Sequence, residues 1–310
     1  MATSSSRPEV RHIYQNHHLD TTRWDGFQPR RDDIVISTAY KAGTTLMQTI
    51  VMNLLFPDGD LPGPVTLISP WLDMRLAPLE EIMGALEGMP FRRCIKTHLA
   101  LDGLPFFDEV KYVVVARDPR DVFMSLLHHW GSHTPAFYET INAPGRPGPE
   151  FPTFEDDPIK LFREWISRGW FEWESDGYPY WSMLHHAKTW WEFRQLPNIR
   201  LVHYNDLRAD LDGEMRKIAE YLEIDVPASK WDAVVEACQF ETVKANPEKI
   251  IFDLHKEVFA DDGTSFINKG TNGRWKGVLT DDELEIYRQA MEDRLPPDCA
   301  RWLEQGGAYD

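Results

Sequence analysis

Lys41, Gly43, Thr44 and Thr45 crowd one short turn, and His98 follows Lys96 by two positions. The first group suits the holding of a phosphate or sulfate. The lysine offers a point charge, the threonines offer hydroxyl donors, and the glycine lets backbone N–H groups approach an anion. The second pair suits the movement of a proton. Neutral imidazole takes a proton from a hydroxyl near pH 7, and an ammonium beside it holds developing negative charge. A tight turn and a surface histidine are ordinary readings of each group alone, so placement decides between them.

The flanking elements supply that placement. Residues 33–38 form a β-branched run, read as a buried strand, and Leu46, Ile50, Leu54 and Leu55 recur at helical spacing. A strand, a glycine turn and a helix aim N-terminal N–H groups and the helix dipole at an anion. The expected ligand is a phosphorylated or sulfated nucleotide. Lys41 precedes Gly43 and no earlier glycine opens the loop, so the spacing is not GxxxxGK[ST]. Further strands are expected at 92–97, 112–116 and 199–204, and helices at 79–86, 119–130, 159–168, 181–195, 210–222, 228–237 and 281–293. This alternation predicts an α/β fold, a three-layer sandwich around a central parallel sheet. His98 then lies at the carboxyl end of a strand, where such sheets gather ligands. Residues 1–32 read as a polar arm, 58–70 as a loop, and 134–157 as a proline-rich insertion serving as a lid or substrate-pocket element.

The turn with its flanks, STAYKAGTTL, resembles STYPKSGTTW, the phosphosulfate loop of the sulfotransferase family. KTHL at 96–99 resembles the family's KTHLP, ARDPRDVFMSLLHHW resembles ARNxKDVxxSxxHF, and NKGTNGRWK resembles RKGxxGxWK. The resemblance runs from WDGFQ at 24–28 past Lys276, so 1–310 is read as a single sulfotransferase domain. It is closest to a bacterial branch that includes glycolipid sulfotransferases. It implies transfer of a sulfonate from 3′-phosphoadenosine 5′-phosphosulfate (PAPS) to a hydroxyl acceptor (a phenol, alcohol or glycolipid), leaving PAP. By the same resemblance His98 is the catalytic base, Lys41 stabilises the leaving bridging oxygen, and Lys96 holds a sulfonate oxygen. Lys41, Ala42, Gly43, Thr44, Thr45 and Leu46 would hold the phosphosulfate end. Arg117, Ser125, Asn268, Lys269 and Gly270 would lie about the 3′-phosphate, and Tyr204, Phe266 and Phe240 about the adenine.

The chain departs from these patterns at several positions. Asn268 stands where an arginine normally grips the 3′-phosphate, Leu46 where a tryptophan stacks near the adenine, and Ala100 where the loop has proline. Of the family's dimer signature, KxxxTVxxxE, Lys276 and Thr280 match while Asp281 replaces valine, which leaves the oligomeric state open. Arg117 read on its own is equally a helix-start arginine paired with Asp118 or Asp121. Two rival functions stay in view: a P-loop-type nucleotide kinase, which shares the sheet topology, and a catalytically silent PAP-binding protein.

A net charge of −17 over 310 residues argues against nucleic acid or an anionic membrane as partner. Cys94, Cys238 and Cys299 are too sparse for a disulfide framework or a structural zinc, and no metal is expected. The N-terminus has no apolar core and no apolar run nears ~18 residues, so neither signal peptide nor membrane span is expected, and the reading is cytoplasmic. Trp165, Trp170, Phe171, Trp173, Tyr178, Tyr180 and Trp181, with Phe106 and Phe107, form either an aromatic acceptor pocket or core packing; Trp190 and Trp191 are assigned to the core.

Overall fold

The computed structural model describes residues 7–309. Its centre is a wholly parallel sheet of β1 (Ile34–Thr38), β2 (Cys94–Thr97), β3 (Lys111–Ala116) and β4 (Ile199–His203), in the order β2-β1-β3-β4. Val35 pairs with Ile95 on one side and Tyr112 on the other, and Val114 pairs with Leu201. β1 is buried along its whole length, as a strand with helices on both faces must be.

Alternation divides the core in two. Val35, Tyr112, Val114 and Leu201 face one apolar cluster, and Ile34, Ile36, Val113, Val115 and Val202 face the other. The second face packs on the helix Thr44–Leu55 through Met47, Ile50, Val51 and Leu54, and on Leu211–Leu222 and Ala228–Ala237. The first face packs on Pro119–Gly131, Pro158–Ser167, Met183–Glu192 and Asp281–Arg294. The three-layer α/β sandwich is therefore present.

Several elements differ from the expectations. The segment 58–70 contains a helical turn, Val65–Ile68. The insertion 134–157 begins with a helix, Pro135–Ile141, and buries Phe137, Ile141 and Phe151. The helix expected from 181 starts at Met183, because the Ser182 hydroxyl accepts from the His185 N–H at 2.9 Å and caps it. Tyr204 belongs to a short helix, Tyr204–Ala209, and not to the strand. Phe240–Ala245, Asp253–Val258 and Pro297–Gln305 are further helices that periodicity did not signal. Most of these are too short for apolar spacing to repeat. From residue 7 on, the N-terminal arm is packed, with Tyr14, Leu19, Trp24 and Phe27 buried and the Tyr14 hydroxyl donating to Asp102 at 2.9 Å. Residues 1–6 of that arm lie outside the described residues.

Candidate active site

The turn after β1 needs two left-handed residues, Lys41 at φ 65° and Gly43 at φ 127°. A side chain at Gly43 would meet Tyr204 Cδ2 at 3.0 Å and Val115 Cγ1 at 3.3 Å, so position 43 is closed to anything larger. Gly43 precedes the helix Thr44–Leu55, whose start has no side-chain cap among the described residues. Its first N–H groups are left for a ligand, and the dipole favours a negative one. Thr38 Oγ1 lies 2.6 Å from Thr44 Oγ1 and locks the turn to the strand.

His98 follows β2 and is 1% exposed, which excludes the surface-histidine reading. Its Nδ1 lies 2.8 Å from the Thr38 carbonyl oxygen. A carbonyl only accepts, so Nδ1 carries the hydrogen and Nε2 carries the lone pair. Nε2 is buried and has no partner among the described residues. Burial, with Lys96 adding to it, holds the ring far below the usual histidine range, so it is neutral.

Lys96, on β2, places its ammonium 4.4 Å from the Trp71 ring centre. Burial pulls it down to about 8, opposed by the Asp73 carboxylate. Asp73 is fully buried and accepts from Trp24 Nε1 at 3.3 Å and Trp71 Nε1 at 3.0 Å. Lys41 is pulled down to about 7, first by burial and then by the charges of Lys96 and Arg117. Its Nζ lies 4.7 Å from the Phe266 ring centre.

Arg117 does not pair with Asp118 or Asp121. Its guanidinium donates to the Thr271 carbonyl at 3.0 Å and to Asn272 Oδ1 at 2.8 Å, and stacks 4.3 Å from the Tyr204 ring centre. Asp118 instead caps its helix and holds Arg120, while Asp121 accepts from the Gly273 N–H at 2.6 Å. The helix Pro119–Gly131 and the arginine before it thus pin the 268–274 loop over the end of the sheet.

These groups converge on one cavity of about 200 Å³. Lys41, Gly43, Thr44, Thr45, Leu46, Lys96, His98, Arg117, Ser125, Tyr204, Phe266, Asn268 and Gly270 all line it. Ala42 and Lys269 do not: Ala42 is fully buried in the core, and Lys269 sits outside the lining. Arg274 also turns away and donates to the Met124 carbonyl at 2.6 Å. The far end of the cavity is walled by Phe240, Val243, Leu207, Leu211, Arg208 and Cys238. Of these, only Phe240 carried a sequence signal. The others sit on helices distant in sequence, where no local spacing marks them.

The sulfotransferase domain family matches residues 31–302. A glycolipid sulfotransferase of Mycobacterium bovis is 31% identical over 309 residues, covering 95% of this chain and 94% of that protein. The chain belongs to the sulfotransferase family. Human sulfotransferase 1C2 is 28% identical, with 86% of this chain and 85% of that one covered. Among solved structures, a mouse sulfotransferase in complex with PAP superposes with a TM-score of 0.68 at 19% identity, covering 94% of this chain and 96% of that one. Retinol dehydratase in complex with retinol and PAP gives 0.65 at 25% identity, over 89% and 84% of the two chains. Sulfotransferases of this family move sulfonate from PAPS to an acceptor and release PAP; the kinase and silent-binder readings have no support here.

This sulfotransferase has a second cavity of about 320 Å³ that meets the first at Tyr40, Lys96 and Phe266. Its wall is mostly apolar, with Trp71, Met74, Ile82, Phe137, Val258 and Phe259 prominent. None of the aromatic residues between Trp165 and Trp181 lines it, and neither do Phe106 and Phe107. Trp165, Tyr180 and Trp181 are buried in the core beside Trp190 and Trp191. Large rings clustered in sequence were needed to fill the space between helices. The insertion contributes Phe137 to the cavity wall. Among the described residues no helix is long and apolar enough to cross a membrane.

Proposed function

We propose that this sulfotransferase uses His98 as general base and Lys41 and Lys96 as charge-stabilising donors, acting on an uncharged hydroxyl acceptor with a largely apolar body. The observation that carries the assignment is the buried, unpartnered His98 Nε2 in a cavity that also holds both lysines.

The residues present fit PAPS. The turn is one that a Cβ at Gly43 would fill, the helix behind it is uncapped, and Ser125, Arg117 and Asn268 line the same cavity. The donor supplies a sulfur that is poor in electrons and a phosphate as leaving group. His98 Nε2 takes the acceptor's hydroxyl proton while the acceptor oxygen forms its bond to sulfur. The bridging O–S bond breaks, its electron pair stays on the bridging oxygen, and Lys41 holds the charge there. Lys96 holds a sulfonate oxygen at the boundary of the two cavities. As in phosphoryl transfer, positioning and electrostatics carry most of the rate.

The second cavity sets the acceptor class. His133 and His255 are kept neutral by burial, at about 3 and about 4, and His18 lies well below its usual range. Besides these histidines, Glu81 and Lys96 are the only acidic or basic side chains in the wall among the described residues. An apolar body with a neutral hydroxyl fits this lining, and a glycolipid is the first class to try, since the mycobacterial relative carries that name. A product screen with PAPS, comparing neutral glycolipids and long-chain alcohols with phenols and carboxylate-bearing alcohols, tests it. Turnover limited to the carboxylate-bearing set would overturn the acceptor class. The insertion 134–157, which gives Phe137 to this cavity, is read as a lid or substrate-pocket element, and the compartment as cytoplasmic.

A further inference from the structure

His129 lines the first cavity and hydrogen-bonds to two residues beside it, Tyr40 and Lys41. Its Nε2 is 2.9 Å from the Tyr40 hydroxyl, and its Nδ1 is 3.3 Å from Lys41 Nζ. The ring is 2% exposed on the helix Pro119–Gly131, edge-on to Tyr40 and beside Phe259 and His133. Tyr40 lines both cavities, and Lys41 lines the first.

Donor and acceptor counting orders this chain. Below pH 7 Lys41 is mostly an ammonium, which has hydrogens to give and no lone pair, so Nδ1 then accepts from it. A neutral imidazole then carries its hydrogen on Nε2 and gives it to the tyrosine oxygen. The charged or titratable groups around His129 are Lys41, His133, His18 and Lys96, and with burial they all favour the neutral ring. The tyrosine oxygen is already an acceptor, so its own O–H points elsewhere. Burial keeps that phenol protonated. The hydroxyl is a donor left over at the wall both cavities share.

The two residues also stand apart from the family pattern given above. Tyr40 occupies the proline position of STYPKSGTTW, and His129 the phenylalanine of ARNxKDVxxSxxHF. Neither proline nor phenylalanine makes a side-chain hydrogen bond, so both changes are needed for the bridge to exist.

We propose that His129 is a positioning residue that fixes Lys41 at the donor cavity and turns the Tyr40 hydroxyl into a directed hydrogen-bond donor to the sulfonate in transit. The inference rests on the PAPS-dependent reading above, and its first test does not. Nitrogen NMR of the free protein, with His129 labelled, reads the tautomer directly. The expected result is a neutral ring with hydrogen on Nε2 at pH 6, where Lys41 is an ammonium, altered in Tyr40→Phe; hydrogen on Nδ1 at that pH overturns the proposal. The second test is kinetic, with the acceptor that the product screen finds. Tyr40→Phe and His129→Phe each lower kcat ~10-fold with little change in KM for PAPS, and the double variant is no slower than either. His129→Gln, whose amide reaches toward the Nε2 place, restores part of kcat. Losses that multiply in the double variant, or that fall only on thermal stability, overturn it. A wild-type protein that fails to bind PAP overturns the PAPS reading, and the assignment of Tyr40 with it.

Discussion

His98 gives its Nδ1 hydrogen to the carbonyl of Thr38 at 2.8 Å, and that bond leaves a bare lone pair on Nε2 inside the cavity. Thr38 is the last residue of β1 and His98 the first after β2, so adjacent parallel strands orient the base. Replacing the ring by a methyl group removes the base and leaves the phosphate-facing turn in place. His98→Ala is expected to lower turnover by ~10²–10⁴-fold with PAP affinity within a few-fold of wild type. Product assays and calorimetry on the same preparation check both halves. Retained turnover would end the assignment.

Lys41 and Lys96 predict proton uptake when PAP binds. Burial lowers them to about 7 and about 8 when no anion is beside them. An anion beside them favours the charged form and raises both, so binding takes up protons and tightens as pH falls from 9 toward 7. The effect flattens toward pH 6, where Lys41 has become mostly charged and the phosphate's own second ionisation, near ~6, begins to oppose it. Titrations in buffers of different ionisation heat measure the uptake. Affinity independent of pH across this range contradicts it.

Asn268 lines the donor cavity without a charge, while Arg117 spends its hydrogen bonds on Thr271 and Asn272. Asn268→Arg adds a guanidinium that can meet phosphate oxygens in pairs. PAP affinity is expected to rise ~10-fold, in line with one charge-assisted hydrogen bond. Unchanged affinity by calorimetry would show that position 268 does not face the 3′-phosphate.

Gly43 combines a φ of 127° with a Tyr204 ring carbon 3.0 Å from where a Cβ would stand. Gly43→Ala therefore strains the turn and displaces the tyrosine. A stability loss of ~1–3 kcal/mol and weaker PAP binding are expected, read by thermal unfolding and calorimetry. A variant with wild-type stability and affinity would mean that the turn relaxes without Tyr204.

Much of the site was legible because its parts are local in sequence. A β-branched run, a glycine turn and an apolar helix are neighbours in the chain, and their order alone brings Lys41, Gly43, Thr44 and Thr45 to a helix start. His98 and Arg117 each follow a strand directly, so finding the strands located them. Helices separate β1 from β2 and β3 from β4, and a crossover then returns the chain parallel, whereas residues 98–110 cross from β2 to β3 with only the short turn Leu101–Gly103.

What the chain could not show locally, the packing decided. Of the rings dense in sequence between Trp165 and Trp181, Trp165, Tyr180 and Trp181 fill the core and Phe171 and Trp173 pack against it half-buried, because where a ring points depends on the helices that meet it. The apolar cavity instead draws on Trp71, Ile82, Phe137 and Phe259, residues with no common periodicity. Arg117 found Asn272, and Lys41 found His129, across separations that no spacing rule spans. Strand and helix formation answer to neighbouring residues, whereas a pocket and its hydrogen bonds are properties of surfaces that meet only after the chain has closed.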